Sequence, residues 1–127
     1  DRPGKDTDRA LAAGGIGIAV TGPEGTAYLD RVRVHDPREL VARFFPDCEI
    51  AVMEGFRDAA LPSVVIAGPG GEATYLDEAQ GDLLAVVAAP DAAAAQAATE
   101  RDVACFAPDA AGDLIRHLEQ ALGLDAA

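Results

Sequence analysis

The sequence has no tryptophan, one lysine, one methionine, two cysteines and two histidines, and only 5% of its 127 residues are aromatic. Two cysteines, Cys48 and Cys105, fit no CxxC or zinc spacing. Each lies in or beside an apolar, strand-like run, which predicts buried free thiols in a reducing cytoplasm; a disulfide is the alternative. His35 and His117 stand alone, without ligand or triad spacing, and read as structural or solvated; His117 sits near the end of an amphipathic helix, where a surface histidine suits the dipole. No Ser-His-Asp or Cys-His set can be assembled, so an enzyme with its own complete site is disfavoured. No apolar run approaches the roughly 20 residues that span a bilayer, and no signal or transit sequence is visible. Cations are scarce as well: ten basic against 22 acidic residues give a net charge of −12. That excess of acid argues against nonspecific binding to nucleic acid or anionic lipid. An initiator methionine is also missing. The chain opens Asp1-Arg2-Pro3-Gly4, which reads as a fragment or a processed product.

What is present points to a folded domain. Half of the residues are hydrophobic, too many for a disordered acidic tail, and the length suits one domain with its own core. Nine of the ten basic residues are arginine, leaving Lys5 alone. A lone ammonium in an arginine-rich chain is either chance or a position where arginine would not serve.

Along the chain, Asp6 or Thr7 can cap a short helix to about Ala13, stopped by Gly14-Gly15. Ile16–Val20 and Tyr28–Val34 then read as a β-hairpin whose Thr21–Thr26 connection is longer than two residues. Asp36-Pro37-Arg38-Glu39 opens a helix, with Asp36 as N-cap, proline at the first position and Glu39 completing a capping box. That helix should turn Leu40, Val41, Phe44 and Phe45 inward and end at Pro46. Apolar runs at Ile50–Met53, Ser63–Ala67, Leu83–Ala89 and Val103–Phe106 predict strands buried on both faces. Asp91–Ala98 is an alanine-rich helical stretch. A final helix runs from Pro108-Asp109 to about Leu122, closed by Gly123. The expected class is α/β: a single domain over residues 1–127, with a mostly parallel sheet, flanking helices and a hairpin extension.

Two segments carry chemistry. Gly4-Lys5 looks like the tail of a phosphate-binding loop, but Asp6 stands where Ser or Thr is required and the preceding glycine is absent. Spacing alone fits a helix-capping charged turn equally well. Glu54-Gly55 follows the apolar run Ile50–Met53. An acid at the carboxyl end of a buried strand is where α/β proteins place ligand contacts, and such a carboxylate can hold Mg²⁺ directly or through water. A solvated strand end is the plainer reading. Gly68-Pro69-Gly70-Gly71 lacks a lysine and reads as a hairpin or surface turn.

The order of these motifs resembles the MobB family, the molybdopterin-guanine dinucleotide biosynthesis adaptor proteins. The carrying residues are Asp1, Pro3, Gly4, Lys5, Asp6, Thr7 and Arg9, then Ala13-Gly14, and Val52-Met53-Glu54-Gly55-Phe56-Arg57. The resemblance covers essentially the whole chain. It implies a P-loop-type GTP-binding fold of the dethiobiotin-synthetase kind, with Glu54-Gly55 in the Walker B part and Glu54 on Mg²⁺ or its water. Lys5, Asp6 and Arg9 would lie in a segment facing nucleotide or partner. The hairpin at 16–34 would join two copies, and the protein would assist a molybdopterin guanylyltransferase with GTP bound and little hydrolysis. The family's first strand and Walker A loop are not in this sequence. That leaves three expectations: an omitted N-terminal part, a truncated form, or a diverged domain that closes the gap by dimerising. Without the loop, a chain of net charge −12 has little reason to hold GTP alone. A dimeric, nucleotide-free scaffold for molybdoenzyme maturation is the rival reading.

Overall fold

The computed structural model describes residues 6–31, 34 and 36–124. It divides into two compact units, residues 1–49 and 50–127.

The first unit opens with α1 (Asp6–Ala12). Gly14, at φ 99°, ends it. The Gly15 N–H donates to Ala10 O at 3.0 Å and the Gly14 N–H to Leu11 O at 3.2 Å, the paired bonds of a Schellman closure. Strands β1 (Gly17–Gly22) and β2 (Gly25–Asp30) form an antiparallel hairpin in the register Gly17↔Asp30 to Gly22↔Gly25. The connection is therefore the two residues Pro23-Glu24, shorter than the turn-rich sequence suggested. Thr21 and Thr26 were read as loop but face each other across the ladder, the Thr26 hydroxyl donating to Thr21 Oγ1 at 3.1 Å. The second strand ends at Asp30, short of the predicted Val34, and Val32, Arg33 and His35 lie outside the described residues. Arg31 donates to Leu11 O, tying the hairpin to the end of α1.

Helix α2 (Pro37–Phe44) starts as its sequence dictates: Asp36 is extended and its side chain accepts from the Arg38 N–H at 2.9 Å. Pro37 is fully buried, and Leu40 and Val41 are half-buried. Phe44 and Phe45 were expected inside but are 41% and 58% exposed. Phe44 packs sideways on Tyr28, centroids 5.9 Å apart, with the Arg43 guanidinium 5.0 Å above its ring. A two-stranded hairpin offers too little surface to cover both rings.

The second unit holds a three-stranded parallel sheet in the order β3 (Ser63–Ile66), β4 (Leu83–Val87), β5 (Cys105–Phe106). Helices α3 (Thr74–Asp77), α4 (Ala93–Glu100) and α5 (Ala111–Ala121) complete it. The α/β class with a parallel sheet, flanking helices and a separate hairpin is as the sequence predicts. Central strand β4 is the most buried, with Ala85 and Val86 at 0% exposure. Against it α4 packs Ala94, Ala95, Ala97 and Ala98, whose small side chains allow a close approach.

The first of the four expected apolar strands is absent. Ile50–Met53 has no regular structure, and Val52 is 93% exposed. A strand exists through its ladder partners, and none of the described residues pairs with this run. Both cysteines are exposed and unbonded, contrary to the buried-thiol reading. Of the two expectations for His117, structural or solvated, the structural one holds. This residue is half-buried, with Nε2 2.9 Å from Leu84 O and its ring 5.3 Å from that of Phe106. Helical spacing explains this, because His117 falls three residues after Leu114 and beside Leu118 on the apolar stripe. Gly123 at φ 71° closes α5 as expected, with the Leu124 N–H on Glu119 O at 2.8 Å.

Candidate functional site

Of the residues singled out from sequence, Lys5 lies outside the described residues. Asp6 and Arg9 share the exposed face of α1, one turn apart, with Arg9 Nη1 3.9 Å from Asp6 Oδ1. An exposed pair at that distance contributes almost nothing to stability, so both side chains are available to solvent. Glu54 and Gly55 belong to the other unit. The structure thus brings Asp6 and Arg9 together on α1 and Glu54 and Gly55 together in a turn, each pair in its own unit.

The turn is defined by its backbone. Gly55 sits at φ 87° and Phe56 at φ 50°. Two successive left-handed residues reverse the chain sharply, and the second is a bulky phenylalanine, rare in this region. Such a residue persists only where its surroundings fix it. The Ala59 N–H closes the turn on Phe56 O at 2.9 Å. Next in sequence, Arg57 reaches α3: its guanidinium lies 4.5 Å over the Tyr75 ring and Nη1 is 2.6 Å from Glu78 Oε2. The hydrogen bond to Tyr75 raises the Arg57 pKa above its ordinary value; desolvation opposes it, and the Glu78 carboxylate adds to the rise. The Glu54 carboxylate is exposed and makes no ion pair or hydrogen bond with another described residue. It is open to a cation or water.

A cavity of about 480 Å³ opens where β4 and β5 end and α4 begins, lined among others by Pro90, Asp91, Gln96, Cys105 and Phe106. This is the carboxyl edge of a parallel sheet, where α/β folds bind ligands. Residues 68–71, expected as a hairpin or surface turn, pack against the start of α4. Gly71 is buried at φ 66°, and its carbonyl accepts from the Ala94 N–H at 2.9 Å in the first turn of α4. A Cβ at Gly71 would stand 2.7 Å from that of Ala92. Sequence reading missed Asp91, Phe106 and this cavity. The signal was there, in a buried strand running into Ala89-Pro90-Asp91 and then a helix.

Charge limits what the site can hold. Residues 50–127 carry three arginines against 13 acidic residues, a net −10. Arg57, Arg101 and Arg116 are each paired with a carboxylate, of Glu78, Asp77 and Asp113. The cavity lining contains no lysine or arginine. Among the described residues no cluster of three metal-ligating side chains exists. A lone carboxylate such as Glu54 fits Mg²⁺ that keeps its waters and rides on a nucleotide's phosphates, but these residues offer no cradle for the phosphates themselves.

No helix among the described residues is long and apolar enough to cross a membrane. Comparison with known proteins gives one family. The model of MobB, molybdopterin guanine dinucleotide synthesis protein B, matches residues 1–89. No curated protein and no solved structure matches the chain. The match takes in both α1 and the Glu54–Arg57 turn, and stops where the cavity's main lining segment begins. The family's fold is of the P-loop type and its role lies in making molybdopterin guanine dinucleotide. On that match, over most of its length, the chain belongs to the MobB family.

Proposed function

We propose that this protein is a GTP-linked accessory factor that assists the guanylyltransferase attaching GMP to molybdopterin, working in the cytoplasm as a homodimer. The observation that carries the reading is the family match across residues 1–89, which includes both motif segments. In this reading Glu54 contacts Mg²⁺ or its water, Gly55 allows the turn, and Lys5, Asp6 and Arg9 face the nucleotide or the partner. The cavity beside Asp91 receives the base. The hairpin supports dimerisation through Ile16, Val20, Tyr28 and Leu29, all more than half exposed and ready to be covered by a second copy. Calorimetry with GTP and Mg²⁺ on the full-length protein tests it. Glu54→Ala should weaken binding about tenfold, the size of one lost charge-assisted contact; unchanged affinity would remove Glu54 from the site.

A second reading has its own support. A unit of net charge −10, with each arginine already paired, repels a triphosphate. On this reading the chain is a nucleotide-free dimeric scaffold for molybdoenzyme maturation. Capture of the guanylyltransferase in nucleotide-free buffer, together with no heat on GTP titration, would favour the scaffold.

A further inference from the structure

The left-handed turn at Gly55 and Phe56 needs a restraint, and the structure supplies one. Arg57 is the next residue, and it leaves the turn for α3. Its planar guanidinium stacks at 4.5 Å on Tyr75 and bonds Glu78 at 2.6 Å. The α3 segment that receives it is itself held. Leu76 is buried in the core at 4% exposure, and Asp77 is paired with Arg101 at the end of α4. Arg101 also donates to Ala97 O at 3.1 Å. The turn is thus fastened through Arg57 to a helix anchored on both its inner and outer faces.

We propose that Arg57 is the positioning residue of the acidic turn: clamped between Tyr75 and Glu78, it holds Gly55 and Phe56 in their left-handed conformation and so aims the Glu54 carboxylate. The assignment of metal contact to Glu54 rests on the function proposed above; the clamp rests on geometry alone. Arginine suits the task better than lysine, because a planar cation can stack and hydrogen-bond at once, whereas an ammonium is a point charge. Tyr75 and Glu78 lie on neighbouring turns of α3 and its cap, three residues apart, so both are presented to the same guanidinium.

Two measurements on the full-length protein decide it. The first is amide hydrogen exchange in wild type, Arg57→Met and Tyr75→Leu. The Ala59 amide, bonded to Phe56 O across the turn, should exchange about tenfold faster in either variant, with those of β4 unchanged, because only the local opening is eased. Arg57→Lys should fall between wild type and Arg57→Met. Unchanged exchange at Ala59 would overturn the clamp. The second is GTP affinity with saturating Mg²⁺ and in EDTA. Arg57→Met should lose about tenfold with Mg²⁺ and nothing in EDTA, the same signature as Glu54→Gln. An equal loss in both buffers would show a general structural effect and overturn the positioning role. A Glu54→Gln variant indistinguishable from wild type would instead refute the metal contact, leaving the exchange result to judge the clamp.

Discussion

Gly71→Ala should be among the most damaging single-methyl additions to the second unit. Gly71 is buried, left-handed at φ 66°, and bonded through its carbonyl to Ala94. The new Cβ would meet that of Ala92 at 2.7 Å, and Ala92 cannot retreat without displacing the start of α4. The left-handed conformation costs an alanine about 1–2 kcal/mol. Overpacking adds about 1–3 kcal/mol, and reduced freedom of the unfolded chain returns about 0.4–1 kcal/mol. The net loss is about 1–5 kcal/mol, read as a drop in the urea midpoint of roughly 0.5–2.5 M at an m-value of about 2 kcal/mol/M. Gly68→Ala is the matched control. Nothing lies within 4 Å of its Cβ position and its φ is not left-handed, so its midpoint should move by no more than about 0.5 kcal/mol in free energy. Equal midpoints for the two variants would refute the claim that residues 68–71 are packed against α4.

Three other perturbations follow from the same geometry. His117→Ala should cost about 1–3 kcal/mol, the sum of one hydrogen bond to Leu84 O and one aromatic contact with Phe106. His117→Phe should recover the stacking part only, as thermal denaturation would show. Asp36→Ala removes the cap of α2 and should cost about 0.5–2 kcal/mol, whereas Asp36→Ser should be nearly neutral in the same assay. Val20→Asp with Leu29→Lys should convert a hairpin-mediated dimer to monomer in sedimentation velocity; a dimer that persists would place the interface elsewhere.

Much of the fold was written locally. The Asp36-Pro37 start of α2, the glycine closures of α1 and α5, and the parallel strands β3 and β4 follow from caps and apolar runs whose physics is short-range. What failed depended on partners distant in sequence. Ile50–Met53 has strand composition but no neighbour among the described residues to complete a ladder. Phe44 and Phe45 sit at apolar helix positions with nothing large enough to cover them. For His117 the choice between a structural and a solvated role stays open in sequence, because one polar residue on an apolar stripe reveals its side only once a carbonyl such as Leu84 O stands opposite. The candidate site divides in the same way. The Glu54-Gly55 turn was legible from residue type and order. The Arg57–Tyr75–Glu78 clamp joins residues 18 to 21 positions apart, and the cavity at Asp91 is lined by two separate stretches, 88–99 and 105–107, so neither leaves a contiguous motif.

The central claim is that this MobB-family chain serves guanylyl transfer onto molybdopterin. The most direct test is the rate of molybdopterin guanine dinucleotide formation by a purified guanylyltransferase, with GTP and Mg²⁺, in the presence and absence of the full-length protein. A higher rate is expected with the wild-type protein and a smaller gain with Glu54→Ala. A rate unchanged by the wild-type protein at saturating concentration would contradict it.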